Sequence, residues 1–176
     1  MASKFLNNLM HQKKVNKINF WSFFKYFILA LAVEGILIWL LGLHPNYTFW
    51  RHVIIVLFGA LSSAGILFLA VEVVRDIDEA TNMIIGLFSV VVLFVAYFAF
   101  QYWFLLITTP DSFSTPVVLN PINMFLQSTM IFLFNPLIIP VTKSAQLLVL
   151  TDSFGSFFLV AFILQNIWQF RHRADH

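Results

Sequence analysis

Glu34 and Asp152 are the two residues of this chain most capable of chemistry, because each interrupts an otherwise apolar stretch. An ionised carboxylate inside a hydrocarbon layer is costly, so such a residue is a functional candidate by default. Either carboxyl could face a wet cavity, attract a cation or share a proton. Each could equally be neutral, or hydrogen-bonded to Ser, Thr or Asn side chains, and both readings stay open. The other charges inside apolar stretches have simpler explanations. Glu72 precedes Arg75 by three residues, the spacing of a helical ion pair, and Lys25 lies close enough to a helix end to extend its ammonium to water.

Several chemistries lack their residues. Cysteine is absent, which removes disulfides, thiolate metal sites and cysteine nucleophiles together. The histidines (His11, His44, His52, His172 and His176) form no metal pair inside an apolar stretch; His172 and His176, spaced i,i+4, lie beyond the last one. There is no Gly-rich phosphate loop, no HExxH and no Gly-x-Ser-x-Gly elbow. The expectation is a protein that is not an enzyme and uses no cofactor or metal. A net charge of +2 gives no reason to expect nucleic acid. Asn46-Tyr47-Thr48 fits the pattern for N-glycosylation.

The elements that position the two acids follow from composition and length. Hydrophobic residues make up 60% of the chain and charged residues 10%, too little polar surface to cover a core in water, so the bilayer is the expected solvent. Residues 20–43, 52–74, 81–107 and 145–170 each reach the ~20 apolar residues needed to cross as a helix. The first is too long for the ~7–15-residue core of a signal peptide and is expected to be retained. His44-Pro45-Asn46 makes the first turn, and Arg75-Asp76-Ile77-Asp78-Glu79 a charged hairpin.

The third connection, 108–144, holds Pro110, Pro116, Pro121, Pro136 and Pro140, yet its middle, 122–134, is strongly apolar. That middle is ~20 Å long as a helix, too short to span. Pro121 suits an early helix position and Pro136 ends the run. A re-entrant helix that enters and leaves on one side is the expected form, rather than an amphipathic helix lying on the surface.

Lysine and arginine placement sets the expected orientation. Lys4, Lys13, Lys14 and Lys17 precede the first span, Arg75 follows the second, and Arg171 and Arg173 follow the fourth, against Arg51 and Lys143 on the opposite side. Both termini are therefore expected to be cytoplasmic, in a multi-pass protein of the cell membrane. Tyr47, Trp50, Tyr102, Trp103 and Trp168 fall near span ends, where aromatic belts form. Glu34 then lies about 21 Å from the inner end of its helix and Asp152 about 10 Å from the outer end of its own, at similar depth. The small residues of Gly59-Ala60-Leu61-Ser62-Ser63-Ala64-Gly65 are spaced for close helix packing.

The C-terminal third carries a further pattern. Asn123-Met124-Phe125-Leu126-Gln127-Ser128-Thr129 is followed by Ile139-Pro140-Val141-Thr142, then Gln146-Leu147-Leu148, then Asp152 ahead of Gly155-Ser156. This resembles the pore region of small bacterial two-helix, pore-loop potassium channels. There a short pore helix ends in a polar pair, and a filter loop and a proline-centred link lead to an inner helix with an acidic residue a turn before a glycine hinge. The resemblance implies an outer helix at 81–107, a pore-type helix at 122–134 and an inner helix at 145–170. It also implies a tetramer around an inorganic cation path. Asn123, Gln127, Ser128, Thr129, Asn135 and Pro136 would form the pore and filter region. Asp152 would take the acidic position, and Gly155 and Ser156 the hinge. One departure matters. Between Thr129 and Pro140 the chain reads Met-Ile-Phe-Leu-Phe-Asn-Pro-Leu-Ile-Ile, without the glycines that let carbonyls line a filter.

The expected protein is thus all-α and integral to the membrane, with four transmembrane helices and a short re-entrant helix between the third and fourth. It divides into a basic leader (1–19), a helical hairpin (20–75), a pore-like module (80–170) and a short tail (171–176). Cation conduction is expected to be open to it and potassium selectivity is not. The alternatives are a non-conducting accessory or binding membrane protein, or a small proton- or cation-coupled carrier using Glu34 and Asp152.

Overall fold

A computed structural model describes residues 20–43, 47–76, 80–114 and 120–174. The basic leader, the His44-Pro45-Asn46 turn, residues 77–79 of the charged hairpin, Pro116 and the last two residues of the tail lie outside the described residues. The described chain forms five α-helices: α1 (Phe20–Gly42), α2 (Thr48–Asp76), α3 (Ala80–Thr108), α4 (Pro121–Phe132) and α5 (Lys143–Ala174). A single 3-10 turn, Pro110–Ser112, follows α3. Among the described residues three stretches are long and apolar enough to cross a membrane: Thr48–Arg75, Met83–Thr108 and Lys143–Trp168. A shorter apolar stretch, Phe27–Gly42, lies in α1.

The chain divides into two units. In Met1–Ala32 the described part is the first half of α1, where Lys25, Ile28 and Leu29 are exposed. The second unit, Val33–His176, holds the remaining elements. Its centre is α3. Met83, Leu87, Val90, Phe94, Phe98, Gln101 and Leu105 recur every three to four residues and are all buried, the stripe that a 3.6-residue period makes. Helix α3 packs mainly on α2 and α4, and α5 packs mainly on α2. Outward-facing side chains are also apolar, among them Phe68, Phe88, Phe157 and Leu164.

Gly59 on α2 and Gly155 on α5 explain how closely these two helices fit. A Cβ added at Gly59 would lie 3.1 Å from Leu148 Cδ1. A Cβ added at Gly155 would collide with Ser63 Oγ and approach Phe94 Cζ to 2.7 Å. The backbones come this close only because side chains are missing there. Gly65 has open space around it and plays no such part.

The connection between α3 and α5 is the most informative part of the fold. Asn120 caps α4, its side chain accepting from the Ile122 N–H at 2.9 Å, with Pro121 in the first turn. The helix stops at Phe132, two residues before the end of the apolar run. It stops because Phe134 turns to a positive φ of 58°. The Asn135 N–H then bonds the Met130 carbonyl and the Phe134 N–H the Ile131 carbonyl, both at 2.8 Å, which is a Schellman closure. Beyond it the chain returns to its starting point. Ser114 N–H donates to Ile139 O at 2.9 Å, Val141 N–H donates to Ser112 O at 2.8 Å, and Phe113 pairs with Pro140 as an antiparallel bridge. Both ends of the connection therefore meet where α3 ends and α5 begins. Between them α4 reaches along α3 until the Phe132 ring stands 6.0 Å from that of Phe94. Phe94 lies fourteen residues before Thr108, about 21 Å along the helix axis.

Candidate functional site

Gln101 and Tyr102 are neighbours on α3, so their side chains diverge by about 100° and serve two different partner helices. On one side Gln101 Nε2 donates to Glu34 Oε2 of α1 at 2.7 Å. Tyr97, one turn earlier, donates its hydroxyl to the same oxygen at 3.4 Å and is itself hydrogen-bonded to Ser62 of α2. On the other side Tyr102 donates to Asp152 Oδ2 of α5 at 2.9 Å, and Ser156 Oγ donates to Asp152 Oδ1 at 3.3 Å. Glu34, Tyr97, Gln101, Tyr102, Asp152 and Ser156 are all fully buried.

The two acids singled out by sequence thus lie in two separate polar nodes that share no partner. Each node ties a carboxyl to α3, and each fills hydrogen bonds that an apolar interior leaves wanting. The nodes differ in completeness. Both Asp152 oxygens are used, whereas Glu34 Oε1 and Gln101 Oε1 have no hydrogen-bond partner among the described residues.

The residues expected to form a pore and filter region divide between two environments. Gln127 and Ser128 are buried on the face of α4 that also carries Met124 and Ile131, and Gln127 Oε1, Gln127 Nε2 and Ser128 Oγ lack partners among the described residues. Thr129 is half-buried and returns its hydroxyl to the Phe125 carbonyl at 2.8 Å. Asn123, Asn135 and Pro136 are exposed. Gly155 and Ser156, the expected hinge, lie inside an unbroken α5, with Gly155 against Ser63 and Phe94. Elsewhere Glu72 and Arg75 form an ion pair within α2, and His52 Nε2 stands 2.6 Å from Thr109 Oγ1.

Ser156 is a partner of the kind the sequence offers for Asp152, whereas the tyrosine and glutamine partners on α3 are not among those it offers. Tyr102 was expected in an aromatic belt because it lies near the end of its span; it is instead enclosed, with its hydroxyl on Asp152. The available signal was Gln101, the one amide inside the apolar run of α3 from 83 to 108. A polar side chain there requires a partner, and Glu34 is the one it finds.

The chain matches no protein-family model, and searches of curated proteins and of solved structures return no significant match.

Proposed function

We propose that the chain is a channel-like integral membrane protein of the cell membrane. In this reading α1, α2, α3 and α5 cross the bilayer with both termini cytoplasmic. Helix α4 is re-entrant, and four copies assemble around an axis lined by α4, α5 and the loop between them. The observation that carries the reading is the path of the third connection. Its two ends pair through Ser112–Ser114 and Ile139–Val141, while Phe132 reaches Phe94 deep along α3. A short helix within a connection whose two ends meet at one end of the bundle is what a pore loop requires, and this supports the reading.

The loop after α4 sets the permeation chemistry. Residues 130–139 contain no glycine, and Leu133, Phe134, Leu137 and Ile139 are exposed. Such a segment does not present a carbonyl ladder that strips an ion of its water. A cation crossing here keeps part of its hydration and meets the polar side chains of α4 and its loop, among them Asn123, Thr129 and Asn135. Potassium is not favoured over sodium.

The same exposed apolar loop favours a second reading, a non-conducting accessory protein whose partner covers Leu133, Phe134, Leu137 and Ile139. Reconstitution into liposomes separates the two. Channel function predicts cation flux above that of empty vesicles, a change in flux on Asp152→Asn, and a particle mass of four copies. Absence of flux for every monovalent and divalent cation tried, with a folded protein, removes the conducting form and leaves the accessory reading.

A further inference from the structure

At the end of the bundle where α1 and α3 finish and α2 begins there is a cavity of about 370 Å³. Gly35, Ile38, Trp39, Phe104 and Ile107 line it with carbon, and Arg51 is the charged residue of its lining. Its shape follows from α1. Gly35 and Gly42 are seven residues apart and so lie on one face of the helix, where the absence of side chains leaves a channel along its surface. A Cβ added at Gly42 would lie 3.5 Å from Arg51 Cζ and Nη2, and one at Gly35 would lie 3.6 Å from Phe104 Cζ. The guanidinium thus stands over the outer glycine and the apolar ring over the inner one. The groove runs about 10 Å from the charge towards the bundle interior.

Arg51 is not neutralised there. No carboxylate among the described residues pairs with it, and its Nε is buried with no hydrogen-bond partner. A guanidinium has five donors suited to the oxygens of a phosphate or carboxylate. Around it Tyr47, Trp50 and Trp39 are exposed, the residue types that mark headgroup level. One cation at that level, followed by a carbon-lined groove leading inward, fits a molecule with an anionic head and an apolar tail.

We infer that Arg51, with the groove bounded by Gly35, Ile38, Trp39, Phe104 and Ile107, is a binding site for an anionic phospholipid. The phosphate sits on the guanidinium and the first part of one acyl chain fills the groove. This depends on the helices crossing a bilayer and not on conduction, so it stands or falls separately from the channel reading.

Native mass spectrometry of the full chain, released from micelles doped with equal phosphatidylglycerol and phosphatidylcholine of identical chains, tests the site. A charge-assisted contact predicts that phosphatidylglycerol is retained about tenfold over phosphatidylcholine. Arg51→Gln should bring that ratio close to one while some lipid of either kind is still retained. Gly35→Leu, which fills the groove and keeps the arginine, should reduce retention of both lipids. Glycerol phosphate, the head without tails, should not displace the bound lipid. An unchanged ratio in Arg51→Gln overturns the proposal. Displacement by glycerol phosphate at lipid-like concentration also overturns it, and assigns the site to a free phosphate ester. The two variants act through different atoms, so a folding failure in one leaves the other decisive.

Discussion

The hydroxyl of Tyr102 stands 2.9 Å from Oδ2 of Asp152 and is the direct side-chain hydrogen bond joining α3 to α5 among the described residues. The second Asp152 oxygen is satisfied within α5 by Ser156. Tyr102→Phe keeps the ring and removes only this donor, leaving a buried carboxyl oxygen without its interhelical partner. Loss of an interhelical hydrogen bond in a membrane protein costs about 0.6–2 kcal/mol. Unfolding in detergent by an increasing fraction of denaturing surfactant should show a loss in that range. Ser156→Ala should cost less, because its 3.3 Å bond is the longer of the two. Equal stability of Tyr102→Phe and wild type would show that the bond is not made in the folded protein.

The Glu34 node makes the opposite forecast, because it is incomplete. Among the described residues Glu34 Oε1 and Gln101 Oε1 both lack partners, although Gln101 Nε2 bonds the other carboxyl oxygen at 2.7 Å. Glu34→Gln keeps an acceptor for Gln101 Nε2 and supplies an amide donor for Gln101 Oε1, closing a two-way pair. Stability should be unchanged or rise by up to about 1 kcal/mol. Glu34→Leu leaves Gln101 with nothing to bond and should cost about 1–3 kcal/mol. If both substitutions were equally harmful, the carboxyl itself would be required, and Glu34 would be a functional acid instead of a structural anchor.

Gly155 tests the contact between α2 and α5. A methyl group there meets Ser63 Oγ and lies 2.7 and 2.9 Å from two carbons of the buried Phe94 ring, closer than van der Waals contact permits. Phe94 is fully buried, and its ring also packs on Phe98 and Phe132, so it has little room to move. Gly155→Ala should destabilise by about 1–3 kcal/mol through overpacking. Gly65→Ala, with open space around it, should be neutral or slightly stabilising and serves as the control. Matched unfolding curves for the two variants settle whether Gly155 is a packing position.

Phe134 holds its φ of 58° at the closure of α4, where glycine is the usual residue. The left-handed conformation costs a residue with a Cβ about 1–2 kcal/mol, and glycine's extra chain entropy returns about 0.5–1 kcal/mol of that. Phe134 is more than half exposed, so little burial is lost on truncation. Phe134→Gly should therefore stabilise by roughly 0.5–1 kcal/mol. Phe134→Val, whose branched Cβ tolerates positive φ least, should destabilise. An increase in flux on Phe134→Gly would add that the bulky turn restricts the path beside it.

How much of this was legible in sequence differs by element. Composition and apolar length located the helices, because hydrophobicity over some twenty residues is a sum that single side chains barely alter. Proline at 121 and the lone apolar run after it located α4. The end of α4 was not legible, since an apolar run gives no sign that Phe134 will adopt a positive φ. Glu34 and Asp152 stood out because charge in an apolar run is rare, yet their partners did not. Tyr97 and Tyr102 are ordinary residues of an aromatic-rich helix, and only the rotation of α3 against α1 and α5 decides which hydroxyl meets which acid. Gly155 likewise reads as a hinge or a contact until the neighbouring helix is in place.

Gln127 and Ser128 offer the most direct link between stability and function. Both are buried on α4, and Gln127 Oε1, Gln127 Nε2 and Ser128 Oγ have no partner among the described residues. A buried polar group left unpaired costs about 1–3 kcal/mol, and a fold that served only stability would not retain two side by side. Under the channel reading these groups hold water or a hydrated cation behind the exposed loop. Gln127→Met matches the volume of the side chain without its polar atoms. It should raise stability by about 1–3 kcal/mol while reducing cation flux. The combination is diagnostic, because a variant that merely unfolds loses both. If Gln127→Met were instead less stable than wild type in the isolated protein, Gln127 would already be satisfied inside the folded chain. In that case its amide is part of the scaffold and does not line a path.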